Sequence, residues 1–373
     1  MRLALLAHDK FGPQTSKTAM GAIVYARNGW SGDEIACVID RSKAGRDAGD
    51  FIPVAKGIPI VASAAEAIAM RPPPDALVIG IAPVGGALPA DWRADLDTAL
   101  DAGIRVVSGL HTALKPDFPR HGHLIRDVRH EHPPQRITNG EGLFVDSLVV
   151  TFGGTDCNSG KMTSAVELTM EARRRGLKAA FVATGQTGIM IGCDAGAPLD
   201  ALVSDFVAGA TEELVLKAAQ KEPDIIFVEG QGTLSHPAYS GVTASLLHGS
   251  FPDVVVLADE PRRQELRMPP GPVAFRKPSL AFERDLNELH LKATSGGRVG
   301  AVALMTPGVP QAEYEETRAR IEKDLGVPAG DVFRGEAGRI LDGVLAMARE
   351  RGLWDANGFR RGVKPARRAT GGA

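Results

Sequence analysis

Apolar residues in the first part of the chain are grouped in short runs, with amphipathic stretches between them. The runs that are rich in aliphatic and β-branched residues, and so predict strands, lie at 3–7, 35–39, 76–81 and 104–107. Helical patterns lie between them at 63–70 and 92–102. Strands that alternate with helices predict a parallel sheet covered on both faces. We therefore expect a Rossmann-like domain over residues 1–137, although no G-x-G-x-x-G motif follows its first strand.

The same alternation continues through the second part of the chain. Apolar runs predict strands at 148–150, 179–183, 225–228, 254–257 and 299–304. Helical patterns lie at 162–175, 311–325 and 336–349. The expected fold class is thus α/β, with the Rossmann-like domain followed by a P-loop NTPase-like, doubly wound parallel sheet over residues 138–354. Residues 355–373 are basic and rich in glycine, and we expect them to form a disordered tail.

Between the two predicted domains, residues 116–141 combine four prolines with four histidines. Proline-rich composition breaks regular structure and is typical of a linker. The histidines His121, His123, His130 and His132 raise the question of a zinc site, but no cysteine or closely spaced histidine pair accompanies them. We predict a linker here and no metal site in the protein.

Overall composition narrows the class of function. The chain has a formal net charge of −2 and 24% charged residues, so it has no global attraction for nucleic acid. Its three cysteines are scattered, and no apolar run is long enough for a secretory segment or a membrane span. We expect a cytoplasmic protein that acts on a small molecule, contacts neither nucleic acid nor membrane, and forms a homo-oligomer.

The strongest motif is residues 151–164, TFGGTDCNSGKMTS, which join a predicted strand to a predicted helix. Backbone N–H groups of such a turn can surround an anion, the helix N-terminus adds positive potential, and the lysine reaches the outer phosphate oxygens. The predicted cofactor-binding residues are Gly154, Thr155, Asp156, Cys157, Asn158, Ser159, Gly160, Lys161, Met162 and Thr163.

This motif departs from the common G-x-x-x-x-G-K-[ST] pattern in one chemically important place. Met162 stands where a hydroxyl would bind Mg²⁺, and Thr163 follows one position late. The pattern therefore favours phosphate binding over nucleotide hydrolysis. Cys157 lies inside the loop, where it is either an acyl-accepting thiol or a small residue that fills the turn.

Polar residues follow two further predicted strands, at the sheet edge where ligands of doubly wound proteins bind. Glu229 and Gly230 directly follow the apolar residues of the run DIIFVEGQG, and Glu229 is a candidate base or metal ligand, or else a turn cap. The run ATGQTG contributes the candidate substrate-binding residues Thr184, Gln186 and Thr187. Gly230, after the other strand, is the fourth candidate for substrate binding.

Other candidates carry less specific signals. Asp194 and Asp205 are further possible catalytic carboxylates, and Asp205 could equally be a helix residue with a basic partner. Ser235 and His236 are adjacent, but neighbouring side chains of an extended segment point to opposite faces and no G-x-S-x-G elbow is present. The cluster of Arg262, Arg263 and Arg267 either meets an anionic ligand or is solvated.

The motifs GTDCNSGKMT, ATGQTG, SDFVAGATEE and VEGQGTLSHP together carry a resemblance. With them the chain resembles a bacterial family long described as a domain of unknown function, whose characterised members are D-glutamate N-acetyltransferases. The resemblance runs from the N-terminal Rossmann-like half to about residue 350. More remotely, the phosphate loop and V-E-G-x-G look like those of dethiobiotin synthetase and related P-loop ligases.

The family resemblance implies acetyl transfer from acetyl-CoA to the amino group of D-glutamate or a related amino acid. Transfer needs a base for the ammonium proton and donors for the thioester oxyanion. Glu229 is the candidate base, and Lys161 or the loop amides are the candidate donors. The alternative is an ATP- or GTP-binding protein that uses Mg²⁺, either a dethiobiotin synthetase-like ligase or a nucleotide switch without turnover.

Overall fold

The protein is described from a computed structural model, which covers residues 1–13, 15–81, 86–131, 133, 135–268, 271–356 and 358–359. The chain forms two compact units. One consists of Met1–His132 with Gln186–Gly192, and the other of Pro133–Gly185 with Cys193–Ala373. The division falls five residues before the boundary that we predicted at residue 137.

The first unit is built on a parallel sheet. Its strands are β1 Arg2–Leu6, β2 Glu34–Ile39, β3 Ile60–Val61, β4 Ala76–Ile79, β5 Arg105–Ser108 and β6 Ile125–Asp127. The helices between them are α1 Lys17–Arg27, α2 Ala64–Ala69 and α3 Arg93–Asp101. Strand order is β3-β2-β1-β4-β5-β6, and all neighbours pair in parallel. This order, with its reversal between β1 and β4, confirms the predicted Rossmann-like fold.

The carboxyl edge of this sheet is held by a buried carboxylate that follows β2. Asp40 accepts hydrogen bonds from the N–H groups of Asp9 and Phe11 beyond β1, and from the ammonium group of Lys43 at 2.9 Å. Burial opposes ionisation of Asp40, but the hydrogen bonds from Lys43, Ser42 and these amides lower its pKa. The turn after β1 is thereby fixed without the glycines of a dinucleotide-binding loop.

The segment that we predicted as a linker is in part regular structure. Strand β6 pairs with β5, and the carboxylate of Asp127 accepts the N–H groups of Leu114 and Lys115, each at 3.0 Å. The predicted break in regular structure is therefore wrong for Ile125–Asp127, because a three-residue edge strand is too short to show a periodic pattern.

Two of the predicted linker histidines have partners within the first unit. His121 lies 3.3 Å from the carboxylate of Asp101, and the Nε2 atom of His130 lies 2.9 Å from the carbonyl oxygen of His111. His123 is exposed in a short 3₁₀ turn. His132 is outside the described residues.

The second unit contains the longer parallel sheet. Its strands are β7 Leu148–Gly154, β8 Ala179–Ala183, β9 Ala195–Gly196, β10 Ile225–Val228, β11 Val254–Asp259, β12 Arg298–Leu304 and β13 Ala329–Gly330. A hairpin of β14 Trp354–Asp355 and β15 Gly358–Phe359 follows. The helices after α3 are α4 Lys161–Arg174, α5 Gln186–Ile191, α6 Ser204–Ala219, α7 Ser240–Ser250, α8 Leu280–Leu291, α9 Gln311–Leu325 and α10 Ala337–Glu350.

Strand order in this sheet is β13-β12-β11-β7-β10-β8-β9, again with parallel neighbours throughout. Every residue of β7 is buried, which requires cover on both faces because successive side chains point to opposite sides. The carboxyl end of β7 lies between the ends of β10 and β11. The doubly wound sheet is confirmed, and its central strand leads into the predicted phosphate loop.

Two segments differ from the predicted domain scheme. Helix α5 follows β8 in sequence but groups with the first unit. Gly358–Phe359 pairs with Trp354–Asp355, so the predicted disorder of the tail does not hold for those two residues. Residues 360–373 lie outside the described residues. None of the helices in the described part of the chain has both the length and the apolar character that crossing a bilayer demands.

The start of the second unit is tied to helix α6 by a buried glutamate. The carboxylate of Glu212 is fully buried and accepts hydrogen bonds from Arg136, from the N–H of Asn139 and from the N–H of Gly142, each at 3.0 Å. Arg136 also pairs with the half-exposed neighbour Glu213. Glu212 therefore orders the chain that leads into β7.

We predict that Glu212→Ala lowers the free energy of unfolding of the second unit by about 1–3 kcal/mol, because it leaves the buried N–H of Gly142 unpaired. Glu213→Ala is the matched control and should cost less than about 1 kcal/mol, since it removes only a solvent-exposed ion pair with the same arginine. Urea denaturation of both variants measures the difference. Equal effects of the two substitutions would contradict the anchoring role of Glu212.

Candidate phosphate-binding site

The phosphate loop has the backbone shape that anion binding requires. Asn158 and Gly160 have φ angles of 54° and 97°, so left-handed residues alternate with right-handed ones before α4 begins at Lys161. Such alternation turns successive N–H groups toward one concave surface. The first turn of α4 adds further N–H groups and the positive end of the helix dipole.

Glycine is required at two points of close approach around the loop. A Cβ atom on Gly154 would lie 2.8 Å from the carbonyl oxygen of Ala258 and 2.9 Å from the hydroxyl of Ser159. A Cβ atom on Gly230 would lie only 1.5 Å from the carbonyl oxygen of Phe152, and 3.1 Å from Cδ of Lys161. The end of β10 is thus packed directly against β7 and against the side chain of the loop lysine.

Lys161 lies across the loop that precedes it. Its ammonium group donates to the carbonyl oxygen of Asp156 at 2.6 Å and to the hydroxyl of Ser159 at 3.3 Å, and the residue is 6% exposed. An anion held by the loop amides would meet this ammonium group. Met162 and Thr163 follow in the first turn of α4 and are partly buried.

Asp156 fixes the loop from inside. Its carboxylate is fully buried and accepts hydrogen bonds from the N–H of Cys157 at 2.6 Å, from Arg263 at 2.7 Å and from the N–H of Arg267 at 2.9 Å. Arg263 also donates to the carbonyl oxygen of Cys157 at 2.6 Å. The segment between β11 and α8 therefore clamps the loop, and Arg263 is neither solvated nor directed at a ligand.

His236 is fully buried next to Asp156 and Arg267, a position that we did not predict from the sequence. Its Nδ1 accepts the N–H of Ala238 at 3.1 Å, so Nε2 carries the hydrogen. Nε2 faces the carbonyl oxygen of Arg267 at 3.2 Å and the carboxylate of Asp156 at 3.6 Å.

Potential metal-ligating atoms of Asp156, Cys157 and His236 lie within 4.8 Å of one another. A metal ion would have to displace the Nε2 hydrogen while Nδ1 still accepts a backbone N–H, which leaves the ring with no hydrogen on either nitrogen. The hydrogen bonds of Asp156 to Arg263 and to Arg267 would compete as well. The cluster is better suited to bracing the loop than to holding a cation.

Glu229 lies beside the loop, as its position after β10 predicts. Its Oε2 atom accepts the N–H groups of Thr184 at 2.9 Å and Gly185 at 3.1 Å, and the hydroxyl of Thr184 donates to the carbonyl oxygen of Glu229 at 3.0 Å. Gln231 adds a hydrogen bond to the carbonyl oxygen of Thr184 at 2.6 Å. These contacts hold the end of β8 against the end of β10.

A second buried carboxylate, Glu283 in the first turn of α8, was not predicted. Burial raises its pKa, while the hydrogen bond from Ser235 and the charge of Lys161 act in the opposite direction. Ser235 is directly hydrogen-bonded to Glu283. The neighbouring Asn287 points its side-chain oxygen at Gly153, without a hydrogen-bond partner within the described residues.

Asp194 is not brought to the loop. The carboxylate of Asp194 accepts from Arg173 at 2.9 Å, from Lys221 at 3.0 Å and from the N–H of Phe181 at 2.9 Å. Arg173 is at the far end of α4 from Lys161, about 18 Å along the helix axis. Asp205 is exposed in the first turn of α6.

The predicted substrate-binding residues are divided between the two units. Thr184 and Gly230 lie in the second unit, next to Glu229 and Lys161. Gln186 and Thr187 are in α5 of the first unit, where Gln186 accepts a hydrogen bond from the buried Arg129 at 2.7 Å. Thr187 packs against Gly21 of α1.

Two family models match the chain. One, described as a domain of unknown function with a P-loop (DUF1611_C), covers residues 136–341, and the other, described as Rossmann-like (DUF1611_N), covers residues 41–131. The chain belongs to the DUF1611 family. The order of a Rossmann-like domain followed by a P-loop domain, which the strand and helix patterns predicted, is confirmed, and so is the family resemblance.

Similar proteins extend this result to most of the chain. A D-glutamate N-acetyltransferase of Tritonibacter scottomollicae is 37% identical over 278 residues, which is 73% of this chain and 81% of that protein. One from Pseudoalteromonas sp. is 34% identical over 272 residues, 71% of this chain and 79% of that protein. The crystal structure of a DUF1611 family protein from Anabaena variabilis has a TM-score of 0.83 at 34% identity, and the match covers 92% of this chain and 99% of that one.

We predict that Gly230→Ala disrupts the second unit, because its Cβ atom would overlap the carbonyl oxygen of Phe152. Gly241→Ala is the matched control: Gly241 is in α7 with open space around it, so alanine should stabilise the helix by up to about 1 kcal/mol. Thermal unfolding followed by circular dichroism compares the two. A normal melting temperature for Gly230→Ala would show that β7 and β10 are not packed as described.

Proposed function

We propose that the protein is an N-acetyltransferase that moves the acetyl group of acetyl-CoA to the amino group of D-glutamate or a related amino acid. The observation that carries this proposal is a phosphate loop without a magnesium-binding hydroxyl, in a chain that is similar over more than two thirds of its length to proteins named D-glutamate N-acetyltransferase. Both small molecules are anionic, which suits a site built from N–H groups and a lysine.

The phosphate groups of coenzyme A suit the chemistry of this loop. Its pyrophosphate can be held by the N–H groups around Gly160 and by Lys161. The thioester is already activated, so no γ-phosphate has to be cleaved and no magnesium ion has to stabilise a leaving phosphate. Met162 at the hydroxyl position is compatible with such a ligand.

The reaction itself requires one deprotonation and one displacement. A base takes a proton from the substrate ammonium group, and the neutral amine attacks the thioester carbonyl carbon. The C–N bond forms, the C–S bond breaks, and the departing thiolate takes the second proton from the nitrogen. Glu229 as base and Lys161 as oxyanion donor stay predictions. Among the predicted carboxylates we favour Glu229 as the base, because Gly230, the residue that follows it, packs against Lys161.

The alternative function is that of an ATP- or GTP-binding protein with Mg²⁺. Only the loop backbone favours it, because the N–H groups would hold the polyphosphate of a nucleotide as readily as the pyrophosphate of coenzyme A. A ligase or a nucleotide switch would then need a magnesium ligand, and Thr163 is the hydroxyl nearest in sequence to the expected position.

We predict that Lys161→Ala weakens the binding of acetyl-CoA about tenfold or more, because it removes a charge-assisted contact to phosphate. Lys178→Ala, an exposed lysine just before β8, is the control with the same change in net charge and should bind normally. Isothermal titration calorimetry measures both. Unchanged affinity of Lys161→Ala for acetyl-CoA and for ATP would refute phosphate binding by this loop.

We also predict that acetyl transfer to D-glutamate persists in excess EDTA, since the acyl donor needs no metal activation. Release of free coenzyme A thiol, with and without EDTA and then with added Mg²⁺, measures this. No transfer to any of a panel of D- and L-amino acids would refute the acetyltransferase proposal. Strict loss of turnover in EDTA that Mg²⁺ restores would favour the nucleotide-dependent alternative.

A further inference from the structure

A cavity of about 260 Å³ lies in the second unit next to the phosphate loop. One side is formed by the segment after β11, through Arg262 and Gln264. The other side is formed by Thr306 after β12 and by helix α9. Because β11 and β12 are neighbours in the sheet, both sides belong to its carboxyl edge, where ligands of doubly wound proteins bind.

The two sides of the cavity are each one residue away from a contact with the phosphate loop. Arg263, between Arg262 and Gln264, is hydrogen-bonded to Asp156 in the loop. Met305, which precedes Thr306, lies so close to the loop that a Cβ atom on Gly160 would be 2.8 Å from its Cε. The cavity is therefore one to two strand spacings from the loop along the sheet edge, about 5–10 Å.

The floor of the cavity is rigid. Arg334 donates to the hydroxyl of Thr306 at 3.0 Å and to the carbonyl oxygen of Val309 at 2.5 Å, and its guanidinium lies 4.4 Å from the ring centroid of Tyr314. The N–H of Thr306 donates to the buried Asp331 at 2.9 Å. Preformed cavities of this kind bind ligands without the cost of ordering their walls.

The wall from α9 presents charge and hydrogen-bonding groups on one helical face. Glu313, Thr317 and Arg320 follow one another at spacings of four and three residues, which brings them to the same side of the helix. Arg262 reaches across to Glu313 with two hydrogen bonds of 2.9 and 2.6 Å. Arg320 forms no ion pair with any of the described residues, so its exposed guanidinium is available to a ligand.

We propose that this cavity takes the adenosine 3′-phosphate end of coenzyme A, with Arg320 as the residue that recognises the 3′-phosphate. The inference rests on the proposed function, because it assumes that the pyrophosphate occupies the adjoining loop. Gln264 and Thr317 supply hydrogen-bonding side chains that the edge of a purine requires. An arginine matches the geometry of a terminal phosphate better than a lysine would.

Calorimetry with three ligands tests the proposal on the whole chain. Coenzyme A carries the 3′-phosphate, dephospho-coenzyme A lacks only that group, and ATP provides an adenine nucleotide without it. The wild-type protein should bind coenzyme A at least about tenfold more tightly than dephospho-coenzyme A, since charge-assisted hydrogen bonds to phosphate contribute that much. The preference should decrease as salt concentration rises.

Arg320→Gln should remove this preference by weakening coenzyme A binding alone, with dephospho-coenzyme A unchanged within about twofold. Lys323→Gln, on the same helix but outside the cavity, is the charge-matched control and should leave all three affinities unchanged. Thr317→Trp tests the cavity itself, because an indole would fill the cavity and weaken the binding of every ligand that contains adenosine.

Three results would overturn the inference. They are equal wild-type affinity for coenzyme A and dephospho-coenzyme A, a preference that survives Arg320→Gln, and normal binding by Thr317→Trp. If transfer from acetyl-CoA still occurs with any of them, the proposed function stands and only the subsite is wrong. A wild-type protein that binds ATP but neither coenzyme refutes the proposed function and this inference together.

Discussion

The phosphate loop depends on one buried carboxylate inside it. Asp156 is removed from solvent, and a carboxylate in such a position costs several kcal/mol unless a cation and N–H groups compensate it. Arg263, itself 8% exposed, provides the cation, and the N–H of Arg267 provides a further donor. Both partners lie in the segment after β11. The contacts that stabilise the charge of Asp156 therefore also hold that segment in place.

That path links the loop to the cavity beside it. Arg262 and Gln264 flank the arginine that compensates Asp156, so their positions at the cavity follow from the same ion pair. His236 contributes from the opposite side, with its tautomer fixed by the N–H of Ala238. The anion site and its neighbour are thus parts of one hydrogen-bonded structure, and loss of Asp156 would affect both.

Much of the fold could be predicted from the sequence because its signals are local. Buried parallel strands are continuous apolar runs, and helices such as Gln311–Leu325 have the bounds that their periodicity indicates. The three-residue strand Ile125–Asp127 has no such signal. The grouping of α5 with the first unit depends on contacts with Gly21 and Arg129, which are far away in sequence and therefore leave no local pattern.

Of the candidate site, only the backbone of the phosphate loop could be predicted from the sequence. Gly160 and Lys161 at a strand-to-helix turn indicate an anion-binding loop, but nothing local identifies what braces it. Ser235 and His236 lie at a turn, where the N–H of His236 donates to the carbonyl oxygen of Thr233 at 3.1 Å, and not in the extended segment that we expected. Ser235 meets Glu283 and His236 meets Asp156, and both partners come from distant segments. Contacts with segments so distant in sequence leave no local pattern from which they could be predicted.

The length of coenzyme A constrains where acetyl transfer can take place. Its pantetheine arm has the length of about four amino-acid residues and spans roughly 13–14 Å when extended. If the loop holds the pyrophosphate, an extended arm carries the thioester well away from Lys161, whereas Gly230, the residue after Glu229, packs against the side chain of that lysine. The two hydrogen bonds that Oε2 of Glu229 accepts describe a carboxylate that positions the end of β8. If Glu229 is the base and the loop holds the pyrophosphate, the arm therefore has to fold back, so that the thioester returns to the end of β10.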